Sequence, residues 1–94
     1  MKKPPDESLL KALAAEIKSL RAALGLSQEE LAHRASLNRT FVGKLEVAKT
    51  QPSITVLFQL AKALEIDVAL FVEKIARREE KEKLVLIRAR SSDQ

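Results

Sequence analysis

The sequence predicts an all-α fold, and three observations carry that prediction. Its 94 residues hold only two Gly and three Pro, too few to supply the many tight turns of an all-β fold. Its apolar residues are mainly aliphatic (Leu, Ala, Ile and Val), with three Phe and no Trp or Tyr. They recur at steps of three and four, the period of one helical face. A chain of this length builds one core of four or five helices, not two.

Taken in order, the first helix is capped by Asp6 or Ser8 and runs to about Leu24. Leu10, Leu13, Ile17, Leu20 and Leu24 fall on one face, and Gly25 supplies the left-handed residue that ends it. Ser27 and Glu30 have the spacing of a capping box, and Leu26 and Leu31 that of a hydrophobic staple. A two-turn helix over 28–35 follows. The device repeats, with Asn38 as cap and Leu37 stapled to Val42, so a second short helix runs over 39–47. Only Ser36, Leu37 and Asn38 separate the two, which forces them to cross steeply. Ala32 and Ala35 leave room for the crossing, and Leu31, Leu37, Val42 and Leu45 fix it. Residues 28–47 thus read as a helix-turn-helix unit.

Ser53 caps a fourth helix whose Ile54, Leu57, Leu60, Ala61 and Leu64 mark its buried face. Asp67 caps a fifth, with Ile66 stapled to Phe71 and with Leu70, Phe71 and Ile75 pointing inward. The folded domain is therefore expected over 8–76, preceded by a flexible basic arm over 1–7. A charged and apolar extension occupies 77–94. Its charge run, Arg77 to Lys83, reads as a solvated helix face. Its apolar run, Leu84-Val85-Leu86-Ile87, either extends helix five or pairs as a short strand. Such a run needs cover, which makes Leu84, Val85, Leu86 and Ile87, with Phe71 and Ile75, the candidate dimerisation residues.

Composition excludes several function classes. There is no cysteine and a single histidine, His33, so neither a disulfide framework nor a metal site is expected, and no cofactor. No nucleophile–base set or phosphate-cradling Gly-rich loop is present, so no enzyme and no small-molecule ligand is expected. No apolar run approaches the roughly 20 residues that span a bilayer, and MKKPPDES lacks a signal-peptide core; the expectation is a cytoplasmic protein that does not engage membranes. The formal net charge of +4 is compatible with a polyanionic partner.

The second short helix carries the chemistry that fits such a partner. Opposite Val42 and Leu45 lie Arg39, Thr40, Gly43 and Lys44, with Val47 at the edge. An arginine fork matches guanine O6 and N7, a threonine reaches a base edge or a thymine methyl, and Lys44 reads a base or holds a phosphate. Gly43 lets the backbone come close to DNA. Gln28 opens a helix whose free N–H groups make an anion site. Asn38, Lys49, Thr50 and Gln51 lie at the mouth of the same face as further phosphate-contacting candidates.

The segments IKSLRAALGLSQEELAHRA, LNRTFVGKLE and QPSITVLFQLAKALEI, followed by Leu70-Phe71, resemble the Cro/CI-type (XRE-type) helix-turn-helix family of phage repressors and bacterial regulators. The resemblance spans Leu13 to Phe71, nearly two thirds of the chain. It implies a compact five-helix, repressor-like domain that binds double-stranded operator DNA as a homodimer. It also implies that Arg39, Thr40 and Lys44 face bases and that Gln28 holds a phosphate. Arg21 and Glu46 would form a buried ion pair between the first helix and the recognition helix. Ser36 and Ala48 stand where the family generally has Gly, and Gly43 where Ser is common. The expected function is transcriptional regulation on a pseudo-palindromic operator with half-sites about one DNA turn apart. Short phage-type repressors, restriction-modification controllers and antitoxin components share that organisation. The alternative is a protein-interaction adaptor that keeps the fold.

Overall fold

The computed structural model describes residues 6–92. Residues 1–5, most of the expected basic arm, and residues 93–94 of the tail lie outside the described residues. Five helices follow one another: α1 (Glu7–Ala23), α2 (Gln28–Ala35), α3 (Arg39–Glu46), α4 (Ile54–Ala63) and α5 (Val68–Ser92). No strand occurs among the described residues. α1 packs on α3 and α5, α2 on α3 and α4, and α4 on α5.

Each start is fixed by a side chain that accepts from the first turn. Asp6, not Ser8, caps α1, accepting from Leu9 N–H at 3.1 Å. The Ser27–Glu30 capping box closes in both directions at 3.0 Å. The N–H donated by Ser27 holds the Glu30 carboxyl below its ordinary pKa, with the Ser27 hydroxyl adding to the effect. Asn38 accepts from Thr40 N–H at 2.7 Å, Ser53 from Val56 N–H at 3.2 Å, and Asp67 from Ala69 and Leu70.

Four of the ends are alike. After α1, α2, α3 and α4 comes a left-handed residue: Gly25 (φ 69°), Ser36 (φ 57°), Ala48 (φ 58°) and Glu65 (φ 56°). The next N–H then reaches back five residues, Leu26 to Arg21, Leu37 to Ala32, Lys49 to Lys44 and Ile66 to Ala61, at 2.8–3.0 Å. This is the Schellman arrangement, which satisfies carbonyls the helix leaves open.

The core joins Leu13 and Ile17 of α1, Leu31 of α2, Val42 and Leu45 of α3, Leu60 of α4 and Phe71 and Ile75 of α5. Three expectations change here. Phe71 is wholly buried and Ile75 nearly so; both belong to the protein's own core and are not free to meet a second copy. Leu70 is 43% exposed, because the inward stripe of α5 steps from Phe71 to Ile75 and leaves its neighbour on the flank. Ile54 is 73% exposed. As the first residue of α4 it has no preceding helical turn to hold it down, and it shares a shallow surface groove with Phe58.

The alternatives for the tail resolve as helix: residues 77–92 continue α5 without a break. Its charge run is not wholly solvated, since Arg78, Glu79 and Glu82 are half-buried. Arg78 Nε donates to Oε1 of the buried Glu16 on α1 at 2.6 Å. Beyond that tether Leu84, Val85 and Ile87 are exposed and Leu86 is half-buried.

Candidate nucleic-acid interface

α3 is held so that one side is core and the other is solvent. Val42 and Leu45 are fully buried, and the helix turns by about 100° per residue, so Arg39, Thr40 and Lys44 emerge on the far side, all three exposed. Gly43 lies between them; a Cβ there would be in ordinary contact with Gln28 Oε1, at 3.9 Å. Eight residues make a rod about 12 Å long, close to the ~12 Å width of the major groove.

The inner end of α3 is pinned by charge. Arg21 donates from Nε to Glu46 Oε2 at 2.7 Å and from Nη2 to Oε1 at 2.9 Å, a two-point grip. Its Nη1 donates to the Leu26 carbonyl at 2.8 Å, tying α1, the first turn and α3 together. The Glu46 side chain is only 2% exposed. Hydrogen bonding to Glu46 raises the Arg21 pKa against the opposing effect of burial. Every nitrogen of Arg21 is thus engaged within the protein.

Gln28 occupies a place that the sequence did not indicate. Its Nε2 donates to Glu46 Oε1 at 3.1 Å, which draws the side chain along α3 and leaves it half-buried. Asn38 spends its Oδ1 on the cap of α3 and keeps its amide protons for other acceptors. Lys49 and Gln51 are exposed and Thr50 half-buried in the loop that follows α3. Among the described residues, Arg39, Lys44 and Lys49 enter no salt bridge. A polyanion meeting this face would not have to break an internal pair.

Among the contacts missed by sequence reasoning, the Glu16–Arg78 pair left a signal and the Gln28–Glu46 bond did not. Arg78 continues the Phe71–Ile75 stripe at helical spacing, and Glu16 sits inside the apolar face of α1, so an opposite charge was readable on each inward stripe, but not that the two stripes meet. The Gln28–Glu46 bond left none, because a surface glutamine beside a capping serine reads the same whichever way its amide turns. Among the described residues no group of His, Asp or Glu is arranged to hold a metal ion, and no helix is long and apolar enough to cross a membrane.

A family model described as helix-turn-helix matches residues 17–71. The chain belongs to the helix-turn-helix family. Within this family it is similar to the control protein C.SmaI of Serratia marcescens, with 39% identity over 56 residues that cover 60% of this chain and 67% of that one. It also resembles the restriction-modification controller protein C.Esp1396I, solved as a tetramer in complex with its natural 35 base-pair operator. The TM-score is 0.70 and the identity 30%, over 76% of this chain and 93% of that one. The clp gene regulator ClgR of Corynebacterium glutamicum gives a TM-score of 0.79 at 26% identity, over 88% of each chain.

Proposed function

We propose that this helix-turn-helix protein is a sequence-specific, DNA-binding transcriptional regulator of the controller type. It binds a pseudo-palindromic operator as a homodimer. The observation that carries the reading is the two-sidedness of α3: Val42, Leu45 and Glu46 are locked into the protein while Arg39, Thr40 and Lys44 stand unpaired in solvent. A rod anchored in this way enters the groove without bending, so its side chains meet base edges in fixed register. The similarity to C.SmaI and to C.Esp1396I in its operator complex supports the same reading.

In this reading Arg39 forks onto guanine, Thr40 and Lys44 read neighbouring positions, and Gly43 lets the α3 backbone approach the bases. Asn38, Lys49, Thr50 and Gln51, with the open N–H groups of the first turn of α2, hold phosphates and set the angle of entry. Dimerisation runs through the exposed apolar groove between α4 and the start of α5, where Ile54, Phe58, Ile66 and Val68 meet. This replaces Phe71 and Ile75, which are spent on the core, and leaves Leu84–Ile87 as a second apolar surface. Two copies related by a two-fold axis then present two α3 rods about one DNA turn, ~34 Å, apart.

Selection from a random pool of duplex oligonucleotides tests the reading. The wild type should enrich a two-fold symmetric motif. Arg39→Ala should relax preference at one base pair per half-site, with a loss of roughly 1–3 kcal/mol in discrimination. Lys49→Ala should weaken every sequence alike and flatten the salt dependence by about one phosphate's worth. No enrichment by the wild type, or equal losses on all sequences for both variants, would sink it.

A further inference from the structure

Gly43 leaves the reading face of α3 without a side chain, and the Gln28 amide borders that opening. The Gln28 amide lies along α3 from Glu46 to Gly43, residues one helical turn apart. Its orientation is settled by chemistry. The Glu46 carboxylate, gripped at two points by Arg21, only accepts hydrogen bonds, so the Gln28 group facing it at 3.1 Å is the NH₂. A flipped amide would set two acceptors against each other. Oε1 is therefore turned away from Glu46, 3.9 Å from where a Cβ on Gly43 would stand. That puts a fixed acceptor on the stripe of Arg39 and Gly43, where α3 has no side chain of its own. Phosphates need donors, so the carbonyl oxygen is not the group that would hold one; the second Nε2 proton, not committed to Glu46, could.

We infer that Gln28 reads sequence: its side-chain carbonyl, held over Gly43 by Glu46, accepts a hydrogen bond from the exocyclic amino group of an adenine or cytosine in the major groove. Those amino groups are the donors the major groove displays. The inference rests on the DNA-binding reading of α3 and revises one detail of it. The carbonyl of Gln28 specifies a base, while its second Nε2 proton and the backbone N–H groups of this helix start are left for phosphate.

The test compares wild type, Gln28→Ala and Arg39→Ala against the selected operator with each half-site base pair changed in turn. Gln28→Ala should lose about three- to tenfold of discrimination, the scale of one hydrogen bond, at a single base pair different from the one Arg39→Ala relaxes. A second arm alters only the DNA and leaves the protein as it is. Replacing the read base by an analogue lacking the amino group should weaken the wild type by the same factor and leave Gln28→Ala unmoved. A uniform loss with a shallower salt slope would make Gln28 a phosphate contact and overturn the inference. So would a loss at the same base pair as Arg39→Ala, or no loss at all. If the wild type selects no sequence, the regulator reading itself has failed, which is a different result from sequence-specific binding that ignores residue 28.

Discussion

Ser36, Ala48 and Glu65 each hold a backbone conformation that a side chain makes costly. The left-handed region brings Cβ against the following carbonyl, at about 1–2 kcal/mol for a non-glycine residue. The fold tolerates this because each residue closes a helix and is followed by a 5-residue backbone hydrogen bond and, at two of the three, an apolar anchor. Replacing Ser36 or Ala48 by Gly removes the clash, partly offset by the greater freedom glycine has in the unfolded chain. Each of Ser36→Gly and Ala48→Gly should therefore stabilise by roughly 0.5–1 kcal/mol, read as a midpoint rise of a few degrees in thermal unfolding. A fall in midpoint for both would show that neither turn is strained. These two positions were legible as departures from a family habit of glycine. Glu65 was not, since nothing in its sequence neighbourhood marks it as a helix end apart from the apolar–cap pair that follows.

That pair is the element-scale rule of this chain. Leu26-Ser27, Leu37-Asn38 and Ile66-Asp67 each place an apolar residue that finishes one helix immediately before the polar residue that starts the next. Because caps and staples are local in sequence, α2, α3 and the starts of α4 and α5 could be read to within a residue. Apart from the Arg21–Glu46 pair, which the family resemblance implied, what could not be read was long-range. Whether residues 77–92 stay helical depends on what α5 lies against, and the Glu16–Arg78 bond joins residues 62 apart. Glu16 is 5% exposed at its side chain and Arg78 39%, so the carboxylate, more than the guanidinium, depends on the pairing. Arg78→Met should cost about 1–3 kcal/mol, the penalty for leaving a buried charged group unsatisfied. Adding Glu16→Leu should recover much of it, since an apolar pair of similar size avoids the desolvation. Denaturant unfolding of the two variants checks this; equal stability of wild type and Arg78→Met would mean the tether contributes nothing.

At the scale of the whole molecule, extending 47 × 32 × 22 Å, the question is how one face for DNA becomes two in fixed relation. The sequence placed the dimer contact on Phe71 and Ile75 together with Leu84, Val85, Leu86 and Ile87; the first two were included because periodicity does not tell an apolar residue facing the core from one facing a partner on the same helix. Burial separates them. Phe58 is 53% and Ile54 73% exposed, and together with Ile66 and Val68 they line one groove, the pattern of an apolar surface left for a partner. Phe58→Asp places a charge there without touching the core, so the helical content and the fold of each subunit should persist. The dimer should not, because a carboxylate facing its own symmetry mate would be desolvated and repelled. Light scattering during size-exclusion chromatography should then report a monomer. Affinity for the full operator should fall by about 10²-fold or more while affinity for an isolated half-site stays near the wild-type subunit's, since the loss is one of linkage and not of contact. A Phe58→Asp protein that remains dimeric would move the interface to the other exposed apolar run, and Leu84→Asp with Ile87→Asp would then be the pair that dissociates it.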